Sequence, residues 1–258
     1  MSDLRVEQDG AVLRLTIDRE DKRNALSGEV LRGLLDAVRA LDGADATRVV
    51  VLTGAGAKAF CSGADLAVMT NDATGLEQHE GRGLLRDVVL AFRACPRPVV
   101  ARVQGLCLAG GVGLALGCDV VLASSEATFG LPEVNLGLWP FMVSALLARH
   151  VSPKHAMDLM LSGDRFDAEA AYRLGIVSRV LPAKSFDADV SAYVDRLAAA
   201  PPVAVRLGKA AWATAEETAL GPALEAMQAQ LSLLTTTQDA AEGVSAFFEK
   251  RKPNYKGR

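Results

Sequence analysis

The stretch GLCLAGGVGLALGCD, residues 105–119, sets glycines at 105, 110, 111, 113 and 117 among small and apolar residues. It offers no catalytic side chain before Asp119. A strand running into glycines that open a helix brings backbone N–H groups close to a ligand, because no Cβ stands in the way. Unpaired N–H groups there, at the positive end of the helix dipole, suit an oxygen acquiring negative charge. The segment FCSGADL, residues 60–66, is a second glycine turn after a second strand end. Two such turns at neighbouring strand ends could give two donors to one carbonyl oxygen. A close helix–strand contact would use the same glycines. Neither the Lys-Ser/Thr ending of a phosphate loop nor the G-x-G-x-x-G dinucleotide pattern is present.

Periodicity gives the elements that must carry these turns. AVLRLTID (11–18) alternates apolar and polar residues as a half-buried strand does. Ser27 caps GEVLRGLLDAVRAL, in which Val30, Leu31, Leu34, Leu35, Val38 and Leu41 share one face. RVVVLTG (48–54) and PVVARV (98–103) read as short strands, the first ending in a glycine-rich turn and the second leading into the glycine stretch. The polar run from Thr70 to Gly83 reads as a mobile surface loop, after which helical spacing resumes until the PRP stop. DVVLAS and ATFGLPEV are further strand candidates, and from Pro140 the pattern is helical except for IVSRVL. The order predicts a layered α/β core followed by a helical section.

With half of its 258 residues hydrophobic and 23% charged, the chain can build a large core. A net charge of −3 argues against broad nucleic-acid binding. The tail EKRKPNYKGR is basic, and reads either as a solvated end or as an anion-binding segment. No secretory signal is visible and no apolar run reaches membrane-spanning length, so a cytoplasmic protein without membrane partners is expected. Cys61, Cys95, Cys107 and Cys118 show no CxxC spacing and read as reduced core residues. His79, His150 and His155 have no ligand-spaced partners, so no structural metal is expected.

KRNALS (22–27), VLTGAGAKAFCSGADL (51–66), GLCLAGGVGLALGCDVVLAS (105–124), ATFGLPEVNLGLWP (127–140) and the tail AFFEKRKPNYKG follow one another in an order that resembles the crotonase, or enoyl-CoA hydratase/isomerase, superfamily. The resemblance covers nearly the whole chain. It implies a crotonase-like ββα spiral core, placed at 1–195, and a C-terminal helical trimerisation region at 196–258 that covers the site. It implies an acyl-CoA thioester as substrate, with no metal, flavin or nicotinamide, and self-association as a homotrimer or a dimer of trimers. The thioester oxygen would sit between the backbone N–H groups of Ala64 and Gly110.

Family hydratases use two glutamates. The resemblance aligns the first of these with Gly113, where the carboxylate is missing, and the second with Glu133, which is present. The apolar flanks Leu131, Pro132 and Val134 favour partial desolvation of Glu133 and a raised pKa. One carboxylate beside an enolate suits double-bond isomerisation, from 3-enoyl-CoA to 2-enoyl-CoA. Hydration would need another acid, with Asp72, Glu77, His79 and Glu80 as loop candidates against a plain solvated face. A non-catalytic acyl-CoA binding protein is the third reading. Trp139, Phe141 and Met142 suggest an apolar acyl pocket, or equally helix packing. For the CoA moiety the resemblance points to Lys22 or Arg23, to Ser62, Ala64 and Leu66, and to Phe247 and Lys250, often from a neighbouring subunit.

Overall fold

The computed structural model describes residues 3–41, 46–66 and 74–258. In chain order the elements are β1 (Leu4–Asp9), β2 (Val12–Ile17), α1 (Gly28–Arg39), β3 (Val49–Gly54), β4 (Ala59–Cys61), α2 (Gly75–Ala94), β5 (Val99–Val103), β6 (Leu106–Leu108) and α3 (Gly110–Leu116). They continue with β7 (Val120–Ser124), β8 (Thr128–Gly130), α4 (Phe141–His150), α5 (Pro153–Ser162), β9 (Arg165–Asp167), α6 (Ala168–Arg173) and β10 (Arg179–Leu181). Four helices close the chain: α7 (Phe186–Ala198), α8 (Pro202–Ala215), α9 (Leu220–Leu234) and α10 (Gln238–Glu249).

Two sheets share these strands. One has the order β1-β2-β3-β5-β7-β10 and is parallel beyond its first pair; the other has the order β4-β6-β8-β9. Three successive passes, β3-β4-α2, β5-β6-α3 and β7-β8-α4, each give one strand to each sheet and then a helix. This is the ββα spiral. Val50, Leu52, Val99, Ala101 and Val103 are fully buried between the large sheet and the helices, as expected of parallel strands covered on both faces.

Ser27 caps α1 by accepting from the Val30 N–H at 3.2 Å, and the helix buries Val30, Leu31, Leu34, Leu35 and Val38. The loop expected over 70–83 is corrected: residues 75–83 are the first turns of α2. Thr74 and Glu77 form a capping box, in which Glu77 Oε2 accepts from the Thr74 N–H at 2.8 Å and Thr74 Oγ1 accepts from the Glu77 N–H at 3.3 Å. These turns face solvent, so no apolar stripe announces them. Residues 70–73, Asp72 among them, lie outside the described residues.

Side chains hidden in turns hold the strand ends together. Asn24, fully buried at φ 57°, donates to the Ala55 carbonyl at 3.0 Å and the Ala59 carbonyl at 2.7 Å, and accepts from the Arg19 N–H at 3.1 Å. Gln104 donates to the Gly54 and Gly56 carbonyls at 2.7 and 3.0 Å. Replacing Asn24 with alanine orphans two buried carbonyls and an N–H, and is expected to cost about 3 kcal/mol in a denaturant unfolding curve. In the helical section, Lys209 of α8 donates to the carbonyls of Phe92 and Arg97 and pairs with Asp119 at 2.6 Å. That cluster docks α8 on the spiral.

Candidate active site

The two glycine turns follow β4 and β6, which are neighbours in the small sheet with Cys61 opposite Cys107. Gly63 has φ +102°, and a Cβ there would stand 2.7 Å from the Ala109 Cβ and 3.4 Å from the Gly110 nitrogen. A Cβ on Gly111 would lie 2.5 Å from the Cys61 carbonyl oxygen. The two turns can approach this closely only because both positions are glycine. A Cβ placed on Gly110 would be 3.7 Å from the Ala64 nitrogen, so the backbones of the two turns are close neighbours at these residues.

Ala109 bends the chain into α3 through φ 52°, ψ −126°, a strained conformation for a residue with a side chain. Its N–H donates to the Gly130 carbonyl at 2.9 Å, and its own carbonyl accepts from Val112. On the facing turn, Leu26 N–H donates to the Gly63 carbonyl at 2.8 Å and Asp65 N–H to the Leu26 carbonyl at 3.0 Å. Asp65 is also held by Arg19 at 2.7 Å. Among the described residues the Ala64 and Gly110 N–H groups have no acceptor, whereas the Gly63, Asp65 and Ala109 N–H groups beside them are engaged.

Glu133 lies in the 3-10 turn Pro132–Leu136, three residues beyond Gly130. The segment is therefore tied at its start to Ala109, beside Gly110. At its end it enters α4, whose Val143 packs on α3. Glu133 Oε2 is buried without a hydrogen-bond partner. Burial pushes its carboxyl pKa above the ordinary glutamate range. A buried carboxylate oxygen left unpaired destabilises the fold and is common where a proton must be taken up.

Gly113 lies three residues after Gly110, on the same face of α3. A Cβ there would meet Val143 Cγ2 at 3.0 Å. Beside it, a cavity of about 220 Å³ opens between α2 and α4; Leu85, Val89, Gly113, Met142 and Leu146 line it, as do Arg86, Arg93, Arg149 and Glu217. Of the three residues expected at an acyl pocket, Met142 lines this cavity, Trp139 packs on the main core and Phe141 is 76% exposed. Of the candidate second acids, the Glu77 carboxylate is engaged in the helix cap, with its pKa lowered by its bonds to Thr74, His79 and Glu80 are exposed on α2, and Asp72 lies outside the described residues.

Lys22, Arg23, Ser62, Ala64 and Leu66 are brought together at one surface. Ser62 donates its N–H to the Arg23 carbonyl at 3.1 Å and its hydroxyl to the Lys22 carbonyl at 3.4 Å. Lys22, Arg23 and Leu66 are exposed there. Phe247 and Lys250, exposed at the far end of α10, have no hydrogen bond or ion pair to this cluster among the described residues. The basic tail folds back on α10: Asp239 accepts from the Lys256 and Gly257 N–H groups, and Glu242 pairs with Arg251. The sequence reading missed Arg19, Asn24 and Gln104 as supports. Asn24 lies inside the quoted KRNALS motif, whereas nothing about Gln104 distinguishes it in one dimension.

A family model described as enoyl-CoA hydratase/isomerase matches residues 7–258. Among curated relatives, the crotonyl-CoA hydratase of Syntrophomonas wolfei is 36% identical over 251 residues, covering 97% of this chain and 96% of its own. The 2,3-dehydroadipyl-CoA hydratase of Escherichia coli is 36% identical over 259 residues and all of both chains. The solved enoyl-CoA hydratase of Mycobacterium smegmatis superposes with a TM-score of 0.93 at 34% identity, covering 98% of each chain. With this spiral, these paired turns and matches along its whole length, the chain belongs to the enoyl-CoA hydratase/isomerase family, the crotonase superfamily, as an enzyme acting on acyl-CoA.

Proposed function

We propose that the protein shifts a double bond in an acyl-CoA, from the 3-enoyl to the conjugated 2-enoyl thioester. The Ala64 and Gly110 N–H groups receive the thioester oxygen. Glu133 takes a proton from C2, the charge spreads over a dienolate whose oxygen faces the two donors, and the same carboxyl returns the proton to C4. No cofactor is called for, since CoA arrives as part of the substrate. Lys22, Arg23, Ser62 and Leu66 would border the CoA, with Phe247 and Lys250 reaching it from a neighbouring subunit. The observation that carries the reading is a buried Glu133 carboxylate oxygen without a hydrogen-bond partner, in a chain that has glycine at position 113.

A hydratase is the second reading, favoured by the names of the relatives. Paired assays separate the two: isomerisation of a 3-enoyl-CoA and hydration of a 2-enoyl-CoA, each repeated with Glu133→Gln. Isomerisation lost in the variant, with negligible hydration in the parent, supports the first reading. Robust hydration replaces it with the second, and silence in both assays with acyl-CoA still bound favours a binding protein.

Converting the site to the two-glutamate pattern needs more than Gly113→Glu, because Val143 stands 3.0 Å from where the new Cβ would be. The single variant is expected to lose stability. The pair Gly113→Glu with Val143→Ala is expected to recover it and to gain hydration above the parent, as followed by melting temperature and 2-enoyl-CoA turnover.

The helical section supports self-association. α9 buries only Ala223 and exposes Leu220, Leu224 and Leu231, while α10 exposes Val244, Phe247 and Phe248. Exposed apolar side chains in such number on two helices suit an interface. Sedimentation equilibrium is expected to give a trimer or a multiple of it, and a monomer would remove this part of the proposal.

A further inference from the structure

In the turn that follows β4, the Ser62 N–H donates to the Arg23 carbonyl at 3.1 Å, the Gly63 N–H to Cys61 Sγ at 3.4 Å and the Asp65 N–H to the Leu26 carbonyl at 3.0 Å. The Ala64 N–H has no acceptor among the described residues. Its direction is therefore set by whatever holds the residues on either side of it. Leu26 holds both, since its own N–H also donates to the Gly63 carbonyl at 2.8 Å. Asp65 is held a second time, through its side chain. Arg19, only 7% exposed, donates from Nη2 to Asp65 Oδ2 at 2.7 Å and from Nη1 to the carbonyl of Ala25, the neighbour of Leu26, at 2.7 Å. Its Nε pairs with Asp3 at 2.9 Å. One guanidinium thus spans the donor turn and the backbone segment against which that turn is set.

We propose that Arg19 and Asp65 are a positioning pair for the reaction: their ion pair fixes the turn so that the Ala64 N–H meets the charge developing on the thioester oxygen. The proposal rests on the reading of Ala64 and Gly110 as the donors to that oxygen. Stability alone is a weak reason for such a pair, because desolvating two charges offsets much of their attraction and an apolar pair of similar volume often serves as well. Placement is a stronger one. The planar guanidinium fixes the directions of its donors, and Asp65, whose side chain is 14% exposed, meets one of them one residue from Ala64.

Infrared spectroscopy of bound butyryl-CoA, which has no double bond to move, reads the placement directly, because hydrogen bonds from the turns lower the thioester carbonyl stretch below that of free butyryl-CoA. Asp65→Asn keeps the side-chain shape and removes the charge. It is expected to move the stretch back toward the free value and to lower kcat by about tenfold, with butyryl-CoA affinity changed far less, since a misplacement well short of 1 Å costs part of the roughly 10²-fold expected at that distance. Arg19→Met combined with Asp65→Leu replaces the ion pair by apolar side chains. That double variant should regain the melting temperature lost in Asp65→Asn while kcat and the stretch stay displaced. A folded Asp65→Asn enzyme with parental stretch and kcat overturns the proposal, as does a double variant whose kcat returns with its melting temperature. A parent whose bound carbonyl stretches as in free butyryl-CoA removes the Ala64–Gly110 reading itself, and the role of the pair with it.

Discussion

Glu133→Gln is expected to lower kcat for 3-enoyl-CoA isomerisation by about 10²–10⁴-fold while leaving acyl-CoA binding nearly intact, because proton transfer by a positioned side chain contributes on that order. Stopped-flow turnover and calorimetry on the same sample check both halves. A loss below about tenfold would remove Glu133 from the chemistry.

The pH dependence has a definite sign. The first proton transfer needs the carboxylate, and burial raises the Glu133 pKa above that of an ordinary glutamate. The acidic limb of kcat/KM should therefore fall at higher pH than an unperturbed glutamate would give, and should vanish with the glutamine. Stability runs the other way. A carboxyl whose folded pKa exceeds its unfolded value favours the folded state most when protonated, and that favour is lost as pH rises through the folded pKa. Glu133→Gln removes a partly buried acid, one oxygen unpartnered, whose ionisation burial disfavours, so the variant's melting temperature should gain on the parent's as pH rises. An inactive variant that is also more stable separates a catalytic carboxylate from a structural one.

The second large effect belongs to a residue with no reactive group. Gly63→Ala puts a Cβ at 2.7 Å from the Ala109 Cβ, on a backbone at φ +102° that a side chain rarely tolerates. The two turns must separate by some tenths of an ångström or more, which pulls the Ala64 and Gly110 donors off a common oxygen. A misplacement approaching 1 Å can cost about 10²-fold in rate, and losing one donor of an oxyanion pair costs about 10²–10³-fold. We expect kcat to fall by about 10²-fold with Glu133 untouched. The check is turnover together with circular dichroism, so that a folded but slow enzyme is distinguished from an unfolded one. A folded variant with parental kcat would show that the paired donors do not hold the developing charge.

Much of the spiral is legible in one dimension because its signals are local. The alternation in β2, the Ser27 cap and five buried positions of α1, and the continuous apolar run of β3 each follow from a short window. The short strands β4, β6 and β9, of three residues each, escaped that reading. So did the start of α2, whose first turns face solvent and carry no apolar period. For the site, residue order identified Ala64, Gly110, Gly113 and Glu133 as candidates by resemblance. It could not show that Glu133 Oε2 lacks a partner, nor that Val143 occupies the space a side chain at 113 would need.

The sequence by itself determined the family, the two glycine turns and the count of glutamates, since each depends on residue identity and short spacing. The tertiary structure decided that β4 and β6 lie side by side, which brings two turns distant in the chain together. It also decided that the missing carboxylate leaves a cavity wall, because whether space is filled or open depends on α2 and α4 packing from distant parts of the chain. Local pattern specifies which backbone is free to approach; only packing specifies what approaches it.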